Sequence, residues 1–409
     1  MTLTKKITAA VLGAAVLAAL LVPRHAVPPQ EEPEEALPVR TAQDDPYIKI
    51  GLYASLTGSA SLLGQMGQQG CRLAVEQINA AGGINGRQIR LIEYDDQTDP
   101  EQAVQIVRKL ITEDRVDAII GSHTSGNIIR TAPLTEQAHV LQVGLGTSYL
   151  WTNAGYRYLF RATGNSLNYD EALYSAIQSS GAQRIAVYYC NTEYAAAGAK
   201  AVISRVRNNG DMKLVWNRSN NITQTDFRYD LSDMLATEPD AVVLYATSEN
   251  AGIQLRQLRE NLGYQGPVYG PEAFANSSVR IEAGDSMTDL VFACSNVLPD
   301  SPIQAASALE RSFLESYIKT YGTMPTAETA YRGYDAVMLL AEAFTNSVSL
   351  ESEDLRRSML AITGHTGISG IYNFSDGSGD GLHSCLLVTM PDPSTMERAS
   401  YSPGTGISG

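Results

Sequence analysis

The chain has 409 residues, with 30 Lys plus Arg against 44 Asp plus Glu and a net charge of −14. That length exceeds one ordinary domain and fits two, with enough apolar residue for two cores. No basic patch or basic-aromatic run offsets the acid excess, so the balance argues against nucleic acid as a partner.

Taken from the start, Lys5 and Lys6 precede residues 7–22, an apolar run without charge. A basic start before a short apolar run reads as an export signal, and the run is short for a bilayer span. Residues 1–26 are therefore a signal peptide or an uncleaved N-terminal anchor. No Cys follows the run, which excludes a lipoprotein anchor, and residues 27–46 form a Pro/acid linker expected not to fold.

From Tyr47 strand and helix patterns alternate. Strands at 48–54, 88–94, 116–120 and 140–143 are separated by helices at 63–79, 100–112 and 128–138. Three β-α units ending in a strand predict a parallel, doubly wound sheet. After Thr163 the grammar restarts, with helices at 169–179, 195–208, 226–236 and 249–262. Strands in this half fall at 184–190, 213–216, 241–246, 268–270 and 290–294. Helices at 303–321, 326–344 and 351–360 follow, then strands at 370–374 and 385–390. The Pro/Ser/Gly-rich tail from 391 is expected to be disordered.

The four cysteines, Cys71, Cys190, Cys294 and Cys385, are widely spaced with no C-x-x-C, so zinc and thioredoxin-like chemistry read poorly. Three lie in apolar runs, which favours buried free thiols. The five histidines show no metal-ligand spacing, and no metal or other cofactor is called. No P-loop, G-x-G-x-x-G, G-x-S-x-G or H-E-x-x-H is present. Gly82-Gly-Ile-Asn-Gly86 follows a helix and precedes a strand, the wrong order for a phosphate loop, so it reads as a C-cap and turn.

The stretch Gly121-Ser-His-Thr-Ser-Gly-Asn127 lies between a buried strand and a helix. Unpaired first-turn amides with Ser122, Thr124 and Ser125 hydroxyls beside them can hold an anion, or can simply cap the helix. Asp95 and Asp96 end the second strand, where capping explains them as well as acid–base chemistry does. Glu272, directly after a short strand, points to a cleft or to a solvated loop. Tyr188, Tyr189, Tyr194 and Tyr245 at or beyond strand ends suit a ligand wall or an aromatic core.

Ile48-Lys-Ile-Gly-Leu-Tyr-Ala-Ser-Leu-Thr-Gly58, Ala74-Val-Glu-Gln-Ile-Asn-Ala-Ala-Gly-Gly-Ile-Asn-Gly86 and Tyr94-Asp-Asp-Gln-Thr-Asp-Pro-Glu-Gln-Ala103 resemble the leucine/isoleucine/valine-binding protein family. These are the solute-binding subunits of branched-chain amino acid ABC importers. The likeness continues through Arg161-Ala-Thr-Gly164, Gly270-Pro-Glu-Ala-Phe-Ala-Asn276, Ala330-Tyr-Arg-Gly-Tyr-Asp-Ala-Val337 and Gly367-Ile-Ser-Gly-Ile-Tyr-Asn-Phe374. It implies an α/β protein of the type I periplasmic binding protein fold, two doubly wound parallel-sheet lobes with a hinged cleft. The N-terminal lobe would be 47–164 plus 298–371, the C-terminal lobe 165–297 plus 372–390, and the tail 391–409. Crossings are implied near 163–165, 296–298 and 371–374.

By the same resemblance Ser125 and Thr147, helped by backbone at Leu145, hold a ligand α-carboxylate. Glu272 receives the α-ammonium, Tyr194 matches a binding tyrosine beyond the first strand of the second lobe, and Tyr334 lies near the closing cleft. Thr247 and Leu63 stand where amino-acid binders carry aromatics, which leaves the ligand's side chain open. The implied protein is no enzyme. It is exported to the periplasm, free or tethered, and delivers an aliphatic or small polar amino acid to ABC permease subunits. Alternatives are the same fold binding urea, an amide or an aromatic or carboxylic acid, and a membrane-tethered ligand sensor.

Overall fold

The computed structural model describes residues 36–42, 45–383 and 385–402 and the backbone of 406–408. The apolar run 7–22 and most of the 27–46 segment lie outside the described residues. Among those described, no helix is long and apolar enough to cross a membrane.

The first lobe begins with β1 (Tyr47–Ala54), α1 (Ser61–Ala80), β2 (Gln88–Asp95) and α2 (Pro100–Lys109). It continues through β3 (Ala118–Ile120), α3 (Ser125–Ala138), β4 (Leu141–Gly144), α4 (Tyr149–Thr152) and β5 (Leu159–Gly164). The chain then crosses into α5 (Ser166–Ser179), β6 (Arg184–Cys190), α6 (Glu193–Asn208), β7 (Lys213–Asn220) and α7 (Arg228–Leu235). The second lobe is extended by β8 (Ala241–Tyr245), α8 (Ala251–Arg256), β9 (Val268–Gly270), α9 (Ser277–Ala283) and β10 (Leu290–Cys294). Helices α10 (Ala308–Tyr321), α11 (Thr329–Asn346) and α12 (Ser352–Leu360) return to the first lobe. Strands β11 (Thr363–Thr366) and β12 (Ile371–Asn373) form a hairpin sheet, and β13 (Asp380–Leu382) follows. The chain ends in β14 (Cys385–Asp392), β15 (Thr395–Ser402) and β16 (Gly406–Ser408).

The first sheet has the order β13-β5-β4-β3-β1-β2 and the second β16-β15-β14-β10-β9-β8-β6-β7. Strands β1 to β5 pair in parallel, as β-α-β crossovers require. Where a sheet is covered on both faces its central strands are near-continuous apolar runs, such as the wholly buried AVVLY of β8. Ile50, Leu52 and Val143 pack with α1, α10 and α11 on one face, while Tyr53 and Ile119 pack with α2 and α3 on the other.

Helices α1 and α11 touch backbone to backbone. A Cβ on Gly70 would stand 1.9 Å from the Ala330 carbonyl oxygen, and one on Gly333 would stand 2.1 Å from that of Gly67. Only glycine permits this approach, and it presses the start of α11 against the first lobe at the cleft.

Three places differ from the sequence reading. The resemblance sets the third crossing at 371–374, but β13 pairs in parallel with β5 and Tyr372, Phe374 and Leu382 belong to the first core, so the chain crosses between β13 and β14. The tail is not disordered through 391–402: β15 pairs antiparallel with β14 and buries Tyr401. The turn before it is set by Asp392, whose carboxylate accepts from the Ser394 amide at 2.8 Å. In the acidic linker, Leu37 is buried in the first lobe and Arg40 meets Asp117 at 2.5 Å, so residues 37–42 are docked. All four cysteines are buried free thiols.

Candidate ligand cleft between the lobes

A cavity of about 390 Å³ lies between the carboxyl edges of the two sheets, where open α/β sheets bind ligands. Its first-lobe wall is the turn between β3 and α3. Buried Asp96 holds that turn, accepting from Ser55 Oγ at 2.6 Å, Ser122 Oγ at 2.8 Å and the Thr98 amide at 2.9 Å. Asp95 likewise binds the Leu56, Thr57 and Gln97 amides, and Asp99 caps α2. The acid cluster therefore builds loops, as the capping reading holds. Thr124 stands at the N-cap of α3 but makes no side-chain capping bond. The first-turn amides of Ser125 and Gly126, which line the cavity, have no acceptor within the helix.

The neighbouring loop carries Thr147. Arg161, wholly buried on β5, fixes it: Nη1 donates to the Gly146 carbonyl at 2.7 Å and Nη2 to the Ser148 carbonyl at 2.8 Å. Its Nε meets Asp380 on β13 at 2.6 Å, and its guanidinium lies 3.7 Å over the Trp151 ring. Asp380 also accepts from Asn165 Nδ2 at 2.6 Å, at the first crossing between lobes.

The second lobe answers from the ends of its own strands. Glu272 follows β9 in a 3₁₀ turn and is buried. Thr147 Oγ1 donates to its Oε1 at 2.6 Å and Tyr194 OH to its Oε2 at 2.5 Å. A second contact between lobes runs from Ser148 Oγ to Glu193 Oε1 at 2.9 Å, and a third from the Glu328 amide to Asn276 Oδ1 at 3.0 Å. The hydrogen bonds span the cleft, so this is the closed arrangement.

Ser125, Thr147, Glu272, Tyr194, Thr247 and Leu63 all line this one cavity. Two candidates do not. Both backbone groups of Leu145 are engaged, its amide by the Ser122 carbonyl at 3.0 Å and its carbonyl by Arg332 Nη1 at 3.0 Å. Tyr334 faces away: its hydroxyl donates to Gln77 at 2.7 Å and its ring stacks edge-on with Phe313 in the first core. It lies two residues past Arg332, about 200° around the helix, so when Arg332 faces the cleft Tyr334 faces α1. Tyr188 and Tyr245 are core aromatics, with hydroxyls on Asp230 and Asp170.

Sequence reasoning missed the start of α11. Glu328 and Arg332 form a buried ion pair lining the cavity, one turn apart. Burial raises the Glu328 carboxyl to about 7 against the opposing pull of Arg332. An i, i+4 Glu/Arg pair at a helix start is a sequence signal, but an ordinary surface pair gives the same one. His123 also lines the cavity, and burial, aided by Arg332, lowers its imidazole to about 4, so it is neutral near pH 7. Among the described residues no group of His, Cys, Asp and Glu is arranged to hold a metal ion.

Comparisons with known proteins agree with this architecture. The leucine-specific-binding protein of Salmonella typhimurium is 27% identical over 77% of this chain and 83% of its own. A Pseudomonas aeruginosa protein that binds leucine, isoleucine, valine, threonine and alanine is 26% identical over 78% of this chain and 83% of its own. Among solved structures, a branched-chain amino acid transporter substrate-binding protein from Streptococcus pneumoniae, in complex with isoleucine, is 25% identical with a TM-score of 0.75. That match covers 87% of this chain and 99% of the other. Residues 47–393 match the periplasmic binding protein family, whose members bind solutes rather than transform them, and the chain belongs to that family.

Proposed function

We propose that the protein is exported, captures a zwitterionic amino acid between its lobes and presents it to the permease of an ABC importer. The observation that carries this reading is the opposition of Ser125, Thr147 and the bare first turn of α3 on one lobe to Glu272 and Tyr194 on the other. The α-carboxylate sits with the hydroxyls of Ser125 and Thr147 and the amides of α3, where donors and the helix dipole favour an anion. The α-ammonium sits on Glu272, which Tyr194 orients. A buried zwitterion needs both charges met, since a stranded one costs several kcal/mol. Splitting the two charges between lobes makes the ligand favour the closed form, and closure is the shape a transporter reads. The binding of leucine, isoleucine and related amino acids by relatives of this chain supports the same class of ligand.

Mass spectrometry of small molecules released from the purified protein, followed by titration of the stripped protein, tests the reading. The expected result is one amino acid bound per chain. A panel of amino acids in which none binds contradicts it.

A further inference from the structure

Charge in the cleft is unbalanced beyond the needs of an α-amino and an α-carboxyl group. Four carboxylates line the cavity: Glu193, Glu249, Glu272 and Glu328. Arg332 is the one Lys or Arg side chain among the described lining residues, and it is engaged by Glu328 and the Leu145 carbonyl. Glu272, on the reading above, takes the ligand's ammonium. Glu193 and Glu249 are left facing the cavity without a cation from its walls.

Their surroundings reinforce the point. Glu193, at the start of α6, accepts from Ser148 through Oε1, while its Oε2 is buried without a hydrogen-bond partner. It packs against the first turn of α3, where a Cβ on Gly126 would lie 3.8 Å from its own. The next residue, Asn127, lines the cavity with no measurable exposure, and neither its Oδ1 nor its Nδ2 has a partner among the described residues. Burial raises the carboxyls of both Glu193 and Glu249. An aliphatic side chain here strips water from these groups and returns nothing, and an acidic one adds like charge.

We propose that the cleft selects an amino acid with a basic side chain, its ammonium or guanidinium received by Glu193 and Glu249 with the Asn127 amide beside them. The proposal rests on the amino-acid reading and narrows it. A carboxylate pair around one cation gives charge-assisted hydrogen bonds, the strong kind, and demands donors rather than bulk.

The test is calorimetric titration of the stripped full-length protein with lysine, arginine, leucine and glutamate. Lysine or arginine is expected to bind at least about ten-fold tighter than leucine, as one charge-assisted bond is worth. Glu193→Gln and Glu249→Gln, each checked for an unchanged melting profile, are expected to cut the basic-to-leucine affinity ratio by about five-fold or more. Leucine or glutamate binding as tightly as the basic amino acids overturns the side-chain assignment and leaves the amino-acid reading standing. If no amino acid binds, both fall. The four-ligand comparison on the unmutated chain decides the matter even where a variant fails to fold.

Discussion

Thr147 Oγ1 donates to Glu272 Oε1 at 2.6 Å, joining a loop of the first lobe to a buried carboxylate of the second. The hydroxyl carries one proton, so it ties the closed lobes as it stands and turns to a ligand's carboxylate when one is held. Thr147→Val removes both functions while keeping shape. Affinity for the amino acid is expected to fall by about 1.5–3 kcal/mol, the worth of one hydrogen bond at a charged group. The unliganded variant is expected to open further, read as a larger radius of gyration by small-angle scattering. An unchanged radius sinks the tie.

Arg161 and Asp380 predict a stability effect distinct from any contact with ligand. Arg161 has no measurable exposure, and its partner is the β13 carboxylate that also holds Asn165 at the first crossing. Asp380→Ala leaves a buried guanidinium without its counter-charge, a loss of about 3–5 kcal/mol. Urea unfolding is the measurement. A change within about 0.5 kcal/mol, typical of surface substitutions, contradicts the assigned role.

His123 predicts a pH dependence with a definite sign. An unfolded imidazole takes its proton near 6.5, whereas burial holds this one off until about 4. The group's contribution to stability is therefore complete above 6.5 and is lost as pH falls from there toward about 4, by an amount of the order of 3 kcal/mol. Glu328, raised to about 7, and Asp170, raised by its burial, act in the opposite direction over that window. The effect must be read as a difference: His123→Gln is expected to lose less stability than the wild type between pH 7.5 and pH 5. Equal losses contradict it.

How much of this was legible in the chain follows from what each feature depends on. The alternation of strand and helix, the Gly-Pro-Glu turn and the Ser/Thr loop are local, and Thr147, Ser125, Glu272 and Tyr194 do meet in one cavity. Tyr334 failed because a resemblance carries the residue type but not the face of its helix, and that face is fixed by glycine contacts between α1 and α11 far apart in sequence. Leu145 failed because its amide, the one backbone group able to hold a carboxylate, is claimed by the Ser122 carbonyl in the turn between β3 and α3. The Glu328–Arg332 pair gave only the i, i+4 signal of an ordinary surface pair, and nothing local marked the Asn127 amide as orphaned. The tail and residues 37–42 looked disordered by composition, yet Tyr401 and Leu37 find buried places and dock them.

Glu272 is proposed to receive the ligand's amine across the cleft from Ser125 and Thr147. That role is tested most directly by titrating wild type and Glu272→Ala with the amino acid that binds best and with the same acid lacking its amino group. Wild type is expected to lose roughly 3–5 kcal/mol when the amine is removed from the ligand, and a similar amount when Glu272 is removed from the protein. Little additional loss is expected when both are removed. Equal affinity of wild type for the two ligands, or undiminished binding in Glu272→Ala, contradicts that role.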